Sequence, residues 1–249
     1  MAGGLLMKVR DVLRHFAEFP VAPLETIAPE TALVLSPHPD DESLGCGGFI
    51  ASSVKNGNPP VVVIVSDGSA SHRNSVTWPP RRMARLRQEE SREAATVLGL
   101  SSDRLLFMGL QDSAVPTQGD SFEAAVHDLV EIVERYECQT VLTPWRCDPH
   151  CDHEAVWLMG QKLKVLVPQL RLLAYPVWGL TLPPEMEING DLLTGWRLDI
   201  GKFLGRKRAA IQAHRSQRGL VVDDDPSGFV LPEHLMEKML LPYEIFIAS

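Results

Sequence analysis

The chain is poor in cysteine, has no long apolar run and carries no excess of basic charge. Its 249 residues include four cysteines, Cys46, Cys138, Cys147 and Cys151. That is too few for a disulfide scaffold, so reduced thiols in a cytoplasmic protein are the expectation. No stretch approaches the roughly 18–20 unbroken apolar residues of a transmembrane helix. The first 20 residues carry Lys8, Arg10, Asp11, Arg14, His15 and Glu18 and lack a continuous apolar segment, so they do not read as a secretory signal. With 24 Lys and Arg against 32 Asp and Glu, the net charge is −8. Nucleic acid demands a basic footprint and an anionic membrane surface attracts one, so both are disfavoured partners. The sequence has no internal repeat and no low-complexity tract.

What is present is ordinary for a globular protein: 45% hydrophobic and 22% charged residues. Leu5, Val9, Val12, Leu13 and Phe16 recur at helical spacing and predict an N-terminal helix. Strand patterns at 31–36, 60–66, 104–108, 140–143 and 171–176 are separated by helix patterns at 44–55, 81–98, 122–136 and 154–165. The run at 60–66, nearly all β-branched, suits a strand buried on both faces. Gly99 supplies the stop of the 81–98 helix. Strands spaced by helices in this way predict an α/β fold, a Rossmann-like and mostly parallel sheet with helices on both faces. The last third is less regular, with a strand pattern at 196–200 and a helix at 202–214. It predicts cap segments over the C-terminal edge of the strands. The expected organisation is a single domain over 1–249, with a helical extension at 1–28 and cap and C-terminal segments from about 180 to 249.

Two clusters carry the chemistry. The run Ala32-Leu33-Val34-Leu35 leads into His38, Asp40, Asp41 and Glu42, and Thr140-Val141-Leu142-Thr143 leads into His150, Cys151, Asp152 and His153. In open α/β sheets, sites form beyond the carboxyl ends of strands, where both clusters fall. A catalytic zinc takes about three protein ligands and keeps one position open. Two histidines and a carboxylate meet that need and leave Asp40 and His150 for proton work.

Other readings compete. Asp40, Asp41 and Ser43 could cap the helix that follows, since anions favour a helix N-terminus. Cys147, Cys151 and His153 could form a closed structural zinc site, although the paired Cys-x-x-Cys knuckle is missing. A two-metal phosphoesterase would need further carboxylates, for which the sequence offers Asp148 and Asp152.

The segment Pro37-His38-Pro39-Asp40-Asp41-Glu42, with the later His150-Cys151-Asp152-His153, resembles the PIG-L/LmbE family of zinc-dependent N-deacetylases. Val65-Ser66-Asp67-Gly68, Arg87-x-x-Glu90 and the late Lys207-x-x-Ala210 through His214-x-Ser216-Gln217 agree with it, so the resemblance spans about residues 30–220. Pro37 and Cys151 depart from its usual Ala and Pro, at positions that are not ligands. By this resemblance His38, Asp41 and His153 hold one Zn2+ per chain, with Fe2+ as an alternative. Asp40 is then the base that takes a proton from the attacking water. His150 stabilises the oxyanion or protonates the leaving amine. The implied substrate is a small N-acetylated sugar or sugar conjugate of the N-acetylglucosamine type. An amidase on a sugar-thiol conjugate and a non-catalytic sugar-binding module on the same fold are the alternatives.

Arg73, in the polar loop 69–74, and Asp112, after the third strand, are the candidate substrate contacts. Trp145, Trp178 and Trp196 are candidates for stacking on a sugar ring, with core packing expected for at least two of them. Asp223-Asp224-Asp225 reads as a solvated loop. The sequence is compatible with a homo-oligomer.

Overall fold

The structure is a computed structural model that describes residues 6–189 and 193–248. The chain begins with β1 (Leu6–Lys8), α1 (Val9–Glu18), β2 (Val21–Ala22), α2 (Leu24–Ile27) and β3 (Ala32–Ser36). It continues through α3 (Asp41–Lys55), β4 (Val61–Ser66), α4 (Pro80–Leu98), β5 (Leu105–Leu110), α5 (Asp120–Arg135) and β6 (Thr140–Pro144). Then come α6 (Cys151–Leu166), β7 (Arg171–Tyr175), β8 (Glu187–Asn189), β9 (Gly195–Asp199), α7 (Leu204–Ala213), α8 (Glu233–Met239) and β10 (Tyr243–Ala248). Leu5, the first position of the N-terminal helical pattern, lies outside the described residues.

An eight-stranded sheet runs in the order β2-β9-β10-β7-β6-β3-β4-β5. From β7 to β5 every neighbouring pair is parallel, and β10 is antiparallel to both β7 and β9. β3, β4 and β6 are buried along their whole length, as the continuous Val, Leu and Ile runs require of strands covered on both faces. One apolar layer packs Leu44, Phe49 and Ile50 of α3 and Ala210 and Ile211 of α7 against Val34, Val62 and Ile64. The opposite layer packs α5 and α6 against Leu33, Leu35, Val61 and Val63. A third cluster seats Val9, Val12 and Phe16 of α1 against Trp145, Ala174 and Ile247.

α3 lies unusually close to the sheet. A Cβ at Gly45 would sit 2.2 Å from the Tyr175 ring, whose hydroxyl donates to Leu35 O at 2.7 Å. At the far end of α4, Gly99 adopts φ 86°, the left-handed stop that only glycine takes without strain.

Two departures from the sequence pattern bear on function. α3 starts at Asp41 and α6 at Cys151, each three residues before its apolar periodicity begins. Their first turns are built from polar residues, which no hydrophobic period marks. From the region after 180, Gln217 and Phe229 line a cleft with His38 and Asp40, but β9 and β10 instead extend the sheet beyond β7.

The chain leaves β3 toward β4 and β5 on one side and returns to β6 and β7 on the other. A crevice opens where the winding direction reverses, beyond the carboxyl ends of β3 and β6.

Candidate metal and catalytic site

The turn after β3 is tied to its neighbours before any ligand is considered. Ser66 N donates to Pro37 O at 2.9 Å, and Ser36 Oγ donates to His38 O at 2.7 Å. The first turn of α3 then presents Asp41, and the first turn of α6 presents His153. Asp41 Oδ2 lies 3.1 Å from Nδ1 of His38 and 3.1 Å from Nε2 of His153. All three side chains are buried; His153 is 0% exposed.

Each histidine is oriented through its other nitrogen. His153 Nδ1 faces Asp148 Oδ2 at 3.0 Å, and His38 Nε2 faces Asp152 Oδ2 at 3.1 Å. Carboxylates behind ligating histidines fix the tautomer and aim the free nitrogen. Both carboxylates are otherwise occupied. Asp148 accepts the backbone N–H groups of Val177, Trp178 and Gly179, and Asp152 accepts those of Ser113 and Val115.

His153 Nε2 is buried, and its 3.1 Å approach to Asp41 Oδ2 lacks hydrogen-bond geometry, which leaves it without a hydrogen-bond partner. A buried ring nitrogen without a partner, facing a carboxylate and a second imidazole nitrogen, is the donor set that a divalent cation satisfies. Among the described residues, His38, Asp41 and His153 form one group able to hold a metal, and His38, His150 and Asp152 form another. Cys147, Cys151 and His153 do not form one. Cys151 is exposed, with its Sγ 4.0 Å from His150 Nδ1.

The electrostatics follow from burial and pairing. Burial would lower both histidines. Asp152 and Asp41 outweigh it for His38, raised to about 9, and Asp41 and Asp148 do so for His153, raised to about 10. Burial would raise Asp41, but His153 and then His38 hold its carboxyl far below the usual range. In Asp40, burial wins: the carboxyl is pushed up to about 7 although Arg87 pulls it down.

Asp40 stands at the N-terminus of α3 with φ 141° and ψ −28°, and its side chain makes no capping bond. Capping does not account for it. Its Oδ2 accepts instead from Arg87 Nη2 at 3.2 Å. His150 is the residue before α6, and its Nδ1 accepts from Asp152 N at 3.1 Å. With Nδ1 used as an acceptor, the neutral ring carries its proton on Nε2. Burial, His38 and His153 all lower the His150 pKa, which favours that neutral form. The His38 and His150 rings meet edge to face with centroids 4.5 Å apart.

A cleft opens over these groups. Its walls include His38, Asp40, Asp41, Arg87, Asp112 and His150, with Trp178 and Phe229 on another side. Asp112, the acidic candidate for a substrate contact, lines this cleft. Its Oδ2 accepts from Ala70 N at 2.9 Å, and its Oδ1 lies 3.6 Å from His38 Nε2.

Arg73 is exposed and is not among the residues lining the cleft; the loop around it is bonded to Asp225 at Asn74 N and to Asp224 at Val76 N and Thr77 N. The cationic wall is Arg87, which also donates to Pro39 O and Gly68 O. Its position in the Arg87-x-x-Glu90 stretch was the available signal. Asp224 and Asp225 of the acidic triple are therefore more than a solvated loop, while Asp223 is exposed. Of the three tryptophans, Trp178 reaches the cleft. Trp145 packs on Phe16, and the Arg171 guanidinium lies over Trp196.

The PIG-L family model, described as GlcNAc-PI de-N-acetylase, matches residues 33–163, more than half of the 249-residue chain. The uncharacterized deacetylase YaiS of Escherichia coli is 26% identical over 156 residues, 62% of this chain and 78% of its own. The probable N-acetyl-alpha-D-glucosaminyl L-malate deacetylase 2 of Bacillus subtilis is 27% identical over 196 residues, 76% and 83% of the two chains. Among solved structures, the N,N'-diacetylchitobiose deacetylase of Pyrococcus horikoshii superposes with a TM-score of 0.61 at 21% identity, covering 92% of this chain and 80% of that one. GalB, the 4-carboxy-2-hydroxymuconate hydratase of Pseudomonas putida, superposes with a TM-score of 0.57 at 25% identity, covering 77% and 81%. The fold thus hosts more than one chemistry. Among the described residues, no helix is long and apolar enough to cross a membrane.

Proposed function

The chain belongs to the PIG-L family, and on that premise we propose that it is a zinc-dependent hydrolase that removes the N-acetyl group from an N-acetylglucosamine-type sugar or sugar conjugate. The observation that carries this reading is the convergence of His38 Nδ1 and His153 Nε2 on Asp41 Oδ2, where His38 and Asp41 line the same cleft as Asp40 and His150.

His38, Asp41 and His153 are the residues that would hold the metal. Bound there, zinc supplies Lewis acidity, polarising a carbonyl and acidifying water. Asp40 takes the proton of the attacking water. A carboxyl with its pKa raised toward 7 is a far better base near neutrality than an ordinary one. His150 directs its Nε2 proton to the oxygen on which negative charge develops, or passes it to the leaving amine. Arg87 and Asp112 offer a donor and an acceptor to sugar hydroxyls on the cleft wall, and Trp178 and Phe229 offer an apolar face.

Substrate class is supported by the named activities of the relatives, the Bacillus subtilis protein above all. The test is a screen of N-acetylated sugars and their conjugates against zinc-loaded and iron-loaded protein, reading free acetate and free amine. Appearance of both in equal amounts supports hydrolysis. Release from thiol conjugates alone would select the amidase alternative. Water addition to an unsaturated acid without acetate release would transfer the site to hydratase chemistry.

A further inference from the structure

We propose that Glu42 and His214 form a buried strut that holds the backbone of Asp40 in its active conformation, which makes them positioning residues for the base. The inference rests on the reading of Asp40 as that base. At φ 141° Asp40 occupies a region that non-glycine residues avoid, and such a conformation persists only where the surroundings enforce it. The enforcing contacts fall on the peptide group that precedes it. Pro39 O accepts from Arg87 Nη2 at 2.7 Å, and Asp40 N donates to Glu42 Oε2 at 3.0 Å. The Pro39–Asp40 peptide is therefore gripped at both its oxygen and its nitrogen.

Glu42 can grip only if its own charge is compensated, because a lone buried carboxylate is strongly disfavoured. It is 3% exposed. His214 Nε2 lies 3.1 Å from Oε1, and Ser43 Oγ donates to the same oxygen at 2.7 Å. His214 follows α7 and is 0% exposed. Its place is set by Ser216, whose N and Oγ both donate to Glu90 on α4, at 2.8 and 2.6 Å. One helix thus anchors both arms of the grip, through Arg87 on one side and Glu90 on the other. Neither Glu42 nor His214 is among the residues lining the cleft, so their influence on substrate passes through Asp40.

The test uses the full-length, zinc-loaded protein and an N-acetylglucosamine conjugate. The His214→Gln and Glu42→Gln variants are measured alone and in an Asp40→Asn background, together with bound metal per chain. The strut predicts that each single variant loses about tenfold to a hundredfold in kcat while KM changes by less than about twofold. Bound metal stays at the wild-type level, since no ligand is touched. In the Asp40→Asn background neither change lowers the remaining rate further, because the residue it positions is already gone. Unchanged kcat in Glu42→Gln and His214→Gln would overturn the proposal. So would an equal loss in both backgrounds, the mark of general structural damage. If His214→Gln does not fold, Glu42→Gln carries the same comparison with both side-chain lengths preserved. Full activity in Asp40→Asn itself is a different outcome, one that removes the base assignment.

Discussion

Asp148 stands directly behind His153: its Oδ2 lies 3.0 Å from Nδ1 while the same carboxylate receives backbone N–H groups from Val177, Trp178 and Gly179. The aspartate is fixed by backbone on the side of β7, so it aims the imidazole rather than binding metal itself. Asp148→Ala should lower zinc affinity by about 10- to 100-fold, the usual effect of losing such an orienting carboxylate. Competition against a chelator of known affinity measures it. An unchanged affinity would show that His153 needs no support.

The backbone of Asp40 yields a prediction about stability with an unusual sign. At an ordinary position glycine is less stable than alanine by about 0.5–1 kcal/mol. At φ 141° alanine is strained and glycine is not, and such strain is on the order of 1–3 kcal/mol. Asp40→Gly should therefore be more stable than Asp40→Ala by about 1 kcal/mol in urea unfolding, with both inactive. Comparing the two isolates the strain, since each lacks the carboxylate equally.

The pH profile tests the pairing of Asp40 with Arg87. The base must be ionised, so kcat/KM rises with pH through the Asp40 pKa. Burial raises that value to about 7 in the metal-free protein, and Arg87 opposes the rise. A bound cation opposes it further, so the wild-type limb should lie below 7. Arg87→Gln removes one positive charge at 3.2 Å and should move the limb upward by about one pH unit. A limb that stays in place would remove Asp40 from the titration. The same raised value has a consequence for folding. Its favourable contribution is complete below the unfolded carboxyl value near 4 and is lost as pH rises through about 7.

A clasp on the loop that follows Ala70 and Ser71 should open in acid. Asp224 accepts from Ser75 Oγ, Val76 N and Thr77 N, and these bonds hold its carboxyl down at about 2. A depressed carboxyl stabilises above its unfolded value near 4, and the contribution disappears as pH falls through about 2. The amide resonances of Val76 and Thr77 should shift over that window in the wild type. In Asp224→Ala they should already be shifted at pH 7. Ala70 and Ser71 of the same loop line the cleft, so that variant should raise KM more than it lowers kcat.

Much of this was legible in the residues, for identifiable reasons. The β-branched run at 61–66 and the apolar run at 32–36 announce buried strands, and their alternation with helices fixes a mostly parallel sheet. The His and Asp clusters sit where such strands end. The first turns of α3 and α6 were missed because they are polar. β10 was missed because it lies at the end of an irregular region and pairs only with distant strands. Arg87 and Glu42 could be named but not given work, because their partners are 47 residues and 172 residues away in sequence. The ties of the loop around Arg73 to Asp224 and Asp225 are invisible to local pattern in the same way.

The most direct test of the central claim is acetate release by zinc-loaded protein, compared with Asp40→Asn loaded in the same way. The wild type should hold one zinc per chain and liberate acetate and free amine in equal amounts from an N-acetylglucosamine conjugate. Asp40→Asn should hold the same zinc and lose about 10²- to 10⁴-fold in rate, the usual worth of a positioned base. A wild type that binds no metal, or an Asp40→Asn variant that releases acetate at the wild-type rate, would contradict the account.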